Sequence, residues 1–136
     1  MKQYQGWWRI GLLIMGLAVV LAACSRGAPD IEVETTRHDF GDIQQGTVAT
    51  LDIPVRNTGT ADLRIEAVVT SCGCTTATLH PQVIPPGGEG TLSVRYDSGL
   101  HPDKGMIRRE VYIASNDPDE PEVTVVLTAN VVVPGQ

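Results

Sequence analysis

Apolar side chains occupy every second position from Val123 through Val125, Leu127, Ala129 and Val131 to Val133. A period of two places such a set on one face of an extended strand. This stretch is the cleanest strand in the chain. Shorter runs of the same period precede it: Ile31-Glu32-Val33-Glu34, then Ala49, Leu51, Ile53 and Val55, then Leu63, Ile65, Ala67 and Val69. A short strand over Thr75 to Leu79, the set Leu92, Val94 and Tyr96, and Ile107 to Ile113 with Val111 and Ile113 inward complete the series. Turn chemistry separates them at Asn57-Thr58-Gly59-Thr60, Pro85 to Gly90, Asp97 to Gly105 and Asn116 to Pro121. Intervals of about 8–12 residues between such signals fit a small all-β sandwich. Phe40 and Ile43 are expected to plug one end of its core, with a turn at Gly46. Pro54 lacks a backbone donor and predicts an edge strand or a bulge there.

No long 3.6-residue stripe follows residue 30, and Val, Ile and Thr crowd the second half, which favours strands over helices. The fold class predicted is therefore all-β, an immunoglobulin-like β-sandwich of about seven strands over residues 30–136. It lacks the tryptophan and disulfide pattern of antibody domains, because Trp7 and Trp8 both lie in the leader. With aromatic residues at only 4%, the core has to be aliphatic.

The first thirty residues read as an address. Lys2 and Arg9 flank a short polar start, and Ile10 to Ala23 then runs without a charge up to Cys24. That run is a signal peptide in outline, and shorter than the roughly 20 apolar residues of a spanning helix. Leu21-Ala22-Ala23-Cys24 resembles a bacterial lipobox, which implies a lipoprotein signal peptide over residues 1–23 that is cut before an acylated Cys24. More than one acyl chain makes such an anchor stable. Residues 24–29 are then a lipidated tether, whose last five residues span no more than roughly 18 Å at about 3.5 Å each. The domain is expected on the exported side of the cell membrane or the outer membrane, held close to it by lipid.

Net charge is −6; removing residues 1–23 takes away Lys2 and Arg9 and no acid, leaving 8 basic against 16 acidic residues, net −8. A nucleic-acid partner would need clustered basic charge, so none is expected. No nucleophile motif, phosphate loop or paired-carboxylate spacing is present, and no catalytic residue is assigned. Asp117, Asp119, Glu120 and Glu122 lack the glycine and spacing of a calcium loop and read as a solvated turn.

Thr70-Ser71-Cys72-Gly73-Cys74-Thr75 is the stretch with distinctive chemistry. Two thiols one residue apart converge only if the backbone between them leaves the extended form, and Gly73 permits that. Continuing the alternation of the preceding strand would turn both cysteines outward, whereas a bulge near Val68-Val69 would turn them inward. Three chemistries are open: core filling, a soft-metal site that prefers Cu(I), and thiol–disulfide exchange in an oxidising compartment. As metal ligands, Cys72 and Cys74 would draw a third from Met106, His80 or His101. His38, His80 and His101 show no pairwise ligand spacing, and a four-ligand zinc site would need two of them.

Phe40-Gly41-Asp42-Ile43 before Gly46, Asn57-Thr58-Gly59, Leu63-Arg64-Ile65, Ser71-Cys72-Gly73-Cys74-Thr75, Pro86-Gly87 and Ser115-Asn116-Asp117 occur in an order that resembles a bacterial family of Hydin-like, Ig-like domains, catalogued as domain of unknown function 1573. The likeness covers roughly Thr35 to Val133. It implies an all-β sandwich in exported or envelope proteins. The function expected is a membrane-anchored lipoprotein whose domain binds or scaffolds an envelope protein, with no enzymatic activity. The alternative is Cu(I) binding or thiol–disulfide redox chemistry at Cys72 and Cys74.

Overall fold

A computed structural model describes residues 27–135, so the expectations for the leader and for Cys24 lie outside the described residues. Nine strands form: β1 (Ile31–Val33), β2 (Arg37–Gln44), β3 (Val48–Asn57), β4 (Leu63–Thr70), β5 (Thr75–His80), β6 (Val83–Ile84), β7 (Glu89–Asp97), β8 (Gly105–Ser115) and β9 (Glu122–Val132). They make a four-stranded sheet in the order β1-β3-β7-β5 and a five-stranded sheet in the order β2-β9-β8-β4-β6. No helix occurs among the described residues.

The strand count corrects the expected seven. The seven predicted strands are all present, and the two added ones had no periodic signal. β6 is two residues long. β2 is interrupted by a bulge between Asp39 and Asp42, where Gly41 adopts a φ of 68°. The bulge also lets Phe40 and Ile43, three apart, both turn toward the interior, where Phe40 packs against each of the two buried clusters. In a regular strand residues three apart face opposite ways.

Side chains from both sheets interdigitate in an aliphatic core. Ile53, Val55 and Leu92 meet Val111, Ile113 and Leu127, each no more than 1% exposed. Burying one such side chain is worth about 1.5–3 kcal/mol, so the alternation read from the sequence is also the main source of stability. β9 lies between β8, antiparallel, and β2, parallel, and its inward set Val123 to Val131 is buried throughout.

Pro54 does not mark an edge strand or a bulge. β3 is flanked by β1 and β7, and the Pro54 carbonyl accepts the Glu34 N–H at 3.1 Å just beyond the end of β1. The N and O of one extended residue point to the same side, so the missing donor falls where β1 stops. The faces of β4 also differ from expectation. Ile65 lies opposite Ser115 and Ala67 opposite Ala114, so Glu66 is an extra residue and the strand reverses its faces two residues earlier than Val68-Val69. Val69 is consequently 56% exposed, while Val68 and Thr70 turn inward. The reversed phase carries on into the cysteine pair.

Candidate functional site at the Cys-Gly-Cys turn

The turn after β4 crosses from the five-stranded sheet to β5 of the four-stranded sheet. Both sides hold it. Ser71 donates its N–H to the Glu110 carbonyl at 2.9 Å and accepts the Glu110 N–H on its hydroxyl at 2.9 Å. Asp97 N–H donates to the Cys74 carbonyl at 2.8 Å, the Thr70 hydroxyl to the Thr75 carbonyl at 2.9 Å, and Thr75 N–H closes the turn onto the Cys72 carbonyl at 3.1 Å. Within this frame Cys72 and Cys74 are joined by a disulfide, their Cα atoms 5.3 Å apart. Neither cysteine is thus a simple filler of the core. Gly73 is not demanded by a left-handed φ, and a Cβ built on it would meet nothing within 4 Å. What its bare backbone provides is an uncovered outer face of the turn.

Cys74 is 1% exposed and packs with Tyr96 and Val131, whereas Cys72 is only half-buried. From β8 the Arg109 guanidinium reaches across to the pair. Its Nε donates to Cys74 Sγ at 3.2 Å and its Nη2 to Asp103 at 2.7 Å, while Nη1 holds the Arg108 carbonyl at 3.0 Å. Tyr96 donates its hydroxyl to the same Asp103 oxygen at 2.8 Å and lies 6.0 Å beneath the guanidinium. Burial, followed by the Asp103 hydrogen bond and charge, pushes the Tyr96 pKa up to about 12, so it remains a donor at neutral pH. Burial alone would raise the Asp103 carboxyl, but the bonds from Tyr96 and Arg109 outweigh it and bring it below its ordinary value.

Of the histidines, His101 joins the site: its imidazole and both sulfurs lie within 4.8 Å of one another. His80 ends β5 and lines a cleft elsewhere, His38 stacks edge-on against Phe40 at 4.7 Å, and Met106 stands 72% exposed on β8. Arg109 and Asp103 carried no sequence signal, and Tyr96 only that of an inward residue of its strand; the three meet only once β7 and β8 are placed. The acidic turn differs from expectation as well. Asp117 is 2% exposed and accepts the N–H groups of Ile31, Asp119 and Glu120 at 2.8, 2.8 and 3.1 Å. It is a structural cap and not a solvated acid.

A second feature is the side of the sandwich where β4 and β5 are both unpaired. Past Ile65, whose N–H still donates to the Gln82 carbonyl at 2.8 Å, β4 has only β8 as a neighbour, and β5 has only β7. Between these edges runs an open cleft of about 220 Å³ whose lining includes Ile65, Ala67, Val68, Ala77 and Leu79. Of the residues from Ala67 to Thr70 and Thr75 to Leu79 none is charged, whereas the opposite edges carry Glu32 on β1 and Arg37, Asp39 and Asp42 on β2.

Comparison with known proteins bears on the fold. A protein of unknown function from Porphyromonas gingivalis W83 superposes with a TM-score of 0.71 at 26% identity, over 81% of this chain and 50% of that one, so this chain spans half the length of its relative. The ASH/PapD-like domain 7 of human CEP192 gives 0.60 at 11% identity over 78% and 87% of the two chains, and the YadV chaperone gives 0.53 at 18% over 79% and 55%. These two share the Ig-like sandwich fold. No protein of curated function matches the sequence. The model of the family described as protein of unknown function DUF1573 matches residues 31–131, which is most of the chain, and the chain belongs to that family.

Proposed function

We propose that the chain is a lipid-anchored protein-binding module of the bacterial cell envelope, tethered through Cys24 to the cell membrane or outer membrane. The domain takes up an extended segment of a partner protein along the β4–β5 side. The observation that carries this reading is the pair of unpaired edges, uncharged over Ala67 to Thr70 and Thr75 to Leu79, beside a cleft lined by Ile65, Val68 and Leu79 together with Glu66, His80 and Gln82. An edge strand offers a row of free N–H and C=O groups. An added strand satisfies them, and pockets for alternate side chains supply selectivity. The charged edges at β1 and β2 repel such an addition.

Two experiments test the two halves. A photo-crosslinking residue at Val69 or Thr78 should capture one discrete envelope protein in cells, and the same residue at Glu32 or Asp39 should capture none; equal capture at all four would reject the edge. Cys24→Ser should leave the domain folded and move it to the soluble fraction. A Cys24→Ser protein that stays with membranes after a high-salt wash, its leader retained, would replace the lipid anchor with an uncleaved helix.

The second reading is Cu(I) binding, and the observation favouring it is the position of His101 beside both sulfurs. The pair must first be reduced, because a disulfide offers no thiolate to a soft ion. Cys72, Cys74 and His101 would then hold the ion. Titration of the reduced protein with Cu(I) against a competing chelator decides it: Cys72→Ser and His101→Ala should each weaken binding.

A further inference from the structure

We propose that the Cys72–Cys74 disulfide is a thiol–disulfide exchange centre in which an incoming peptide thiolate attacks Cys72 and Cys74 leaves as a thiolate held by Arg109. The inference stands independently of the sheet-edge reading.

Exposure decides which sulfur is attacked. Cys74 is 1% exposed behind Tyr96 and Val131, while Cys72 is half-buried and lies next to Gly73, whose missing side chain leaves the outer face of the turn open. The nucleophile and the leaving sulfur must sit on opposite sides of the attacked one, so attack from outside on Cys72 expels Cys74 inward. There the Arg109 Nε–H already points at it from 3.2 Å. A disulfide sulfur is a weak acceptor, and a thiolate receiving a charged N–H is a strong one. The hydrogen bond therefore strengthens as charge develops, which is how a preorganised donor lowers a barrier. Asp103 fixes the guanidinium in that pose, Gln45 Nε2 holds the Asp103 carbonyl at 3.1 Å, and the Tyr96 hydroxyl donates to the same carboxylate oxygen that Arg109 binds. Arg109 thus acts directly on the departing sulfur, and Asp103 is the residue that positions Arg109.

The chemistry balances with a dithiol substrate. The first substrate thiolate forms a bond to Cys72 Sγ and the Cys72–Cys74 bond breaks, giving a mixed disulfide and a Cys74 thiolate. The second substrate thiolate then attacks the substrate sulfur, closing the substrate disulfide and releasing Cys72, on whose sulfur the Cys74 N–H is already placed at 3.1 Å. Two electrons pass from substrate to protein. Of the two substrate protons one goes to Cys72 and one to solvent, and Cys74 remains paired with Arg109. The oxidant is the disulfide itself, and the substrate class is an exported peptide with two nearby thiols.

The test uses the mature, full-length protein in detergent and reduced glutathione as a monothiol probe, quenched with acid and mapped by mass spectrometry. Glutathione should appear on Cys72 and not on Cys74. Arg109→Gln should slow adduct formation about tenfold, since a poorer leaving group leaves more slowly, and relax the preference for Cys72. Arg109→Lys should recover part of the rate. Gly73→Leu should slow the larger dithiol peptide more than glutathione. Adduct on Cys74, equal adducts on both, no adduct, or an unchanged rate in a folded Arg109→Gln protein each overturns the proposal. If Arg109→Gln does not fold, the location of the adduct on the unaltered protein decides alone.

Discussion

The sandwich holds a polar cluster at each end, and the two are built to different ends. β7 runs from one to the other: Glu89 pairs near Asn57, and Tyr96 lies opposite Thr75 beside the cysteines. At the first end Asn57 is fully buried, donates to the Ala61 and Ile84 carbonyls at 2.8 Å each and accepts from the Gly59 and Asp30 N–H groups at 3.0 and 3.3 Å. Asp117 caps three further N–H groups nearby. Every one of these partners is backbone, so the groups serve only to hold turns. At the cysteine end contacts to backbone are joined by contacts between side chains, from Arg109 to Cys74 and Asp103 and from Tyr96 to Asp103, and Arg109 spends a charged N–H on a sulfur that gains little from it in the oxidised state. Ends of the first kind make structure; the second kind keeps unused capacity for charge.

The largest effect should therefore come from the Asn57 end. Asn57→Ala leaves four backbone groups without their partner, the Ile84 carbonyl buried and the other three partly so, and a buried orphan costs about 1–3 kcal/mol. Some will find new geometry, so a loss of about 3 kcal/mol or more is expected in urea denaturation. A loss under 1 kcal/mol would mean that the turn is held by the chain alone, and the contrast between the ends would fail. Gly59 belongs to the same arrangement, since a Cβ there would run into the Ala28 carbonyl.

Acid should separate the ends next. Burial raises the Asp117 carboxyl, but three backbone N–H groups outweigh it and hold the pKa below its ordinary value. A carboxyl lowered in the folded state contributes stability that is fully present above the unfolded value of about 3.9 and is lost as pH falls through the folded one. Asp103 is lowered too, so both ends weaken below about pH 4. Asp117→Asn should cost about 1–3 kcal/mol at pH 7, and the gap to the unaltered protein should narrow toward pH 2. A gap independent of pH would assign the loss to packing instead of charge.

The sequence displayed the sandwich because burial and the pleat share one period, and β9 shows this most plainly. It concealed β2, β6 and the faces of β4 because each depends on a single residue of geometry: Gly41, a two-residue pairing, and the extra Glu66. The cysteine site was half legible. Ser-Cys-Gly-Cys-Thr marked the turn and His101 stood among the third ligands considered, yet the direction of the sulfurs hung on the Glu66 bulge. Arg109 is an arginine in a strand whose neighbours Arg108 and Glu110 look the same in one dimension. Only the pairing of β8 with β4 brings it to Cys74, and no local pattern encodes that.

The smallest effect should come from deleting the disulfide. Its loop is two residues in sequence separation, and the chain-entropy term for so short a loop is only on the order of 1.6 kcal/mol. The larger aliphatic cluster, which supplies most of the burial, does not include the cysteines, and Cys74 packs only within the smaller one with Tyr96 and Val131. Cys72→Ala with Cys74→Ala removes one small buried sulfur and leaves Arg109 bonded to Asp103 and Arg108, so no charge is stranded. The double variant should therefore lose about 1–2 kcal/mol, remain cooperatively folded, and resemble the unaltered protein measured under reductant. A loss above about 4 kcal/mol, or failure to fold, would make the cysteine turn a staple like the Asn57 end. The two clusters would then differ in chemistry but not in purpose, and the exchange reaction would have to proceed at a bond the fold cannot spare.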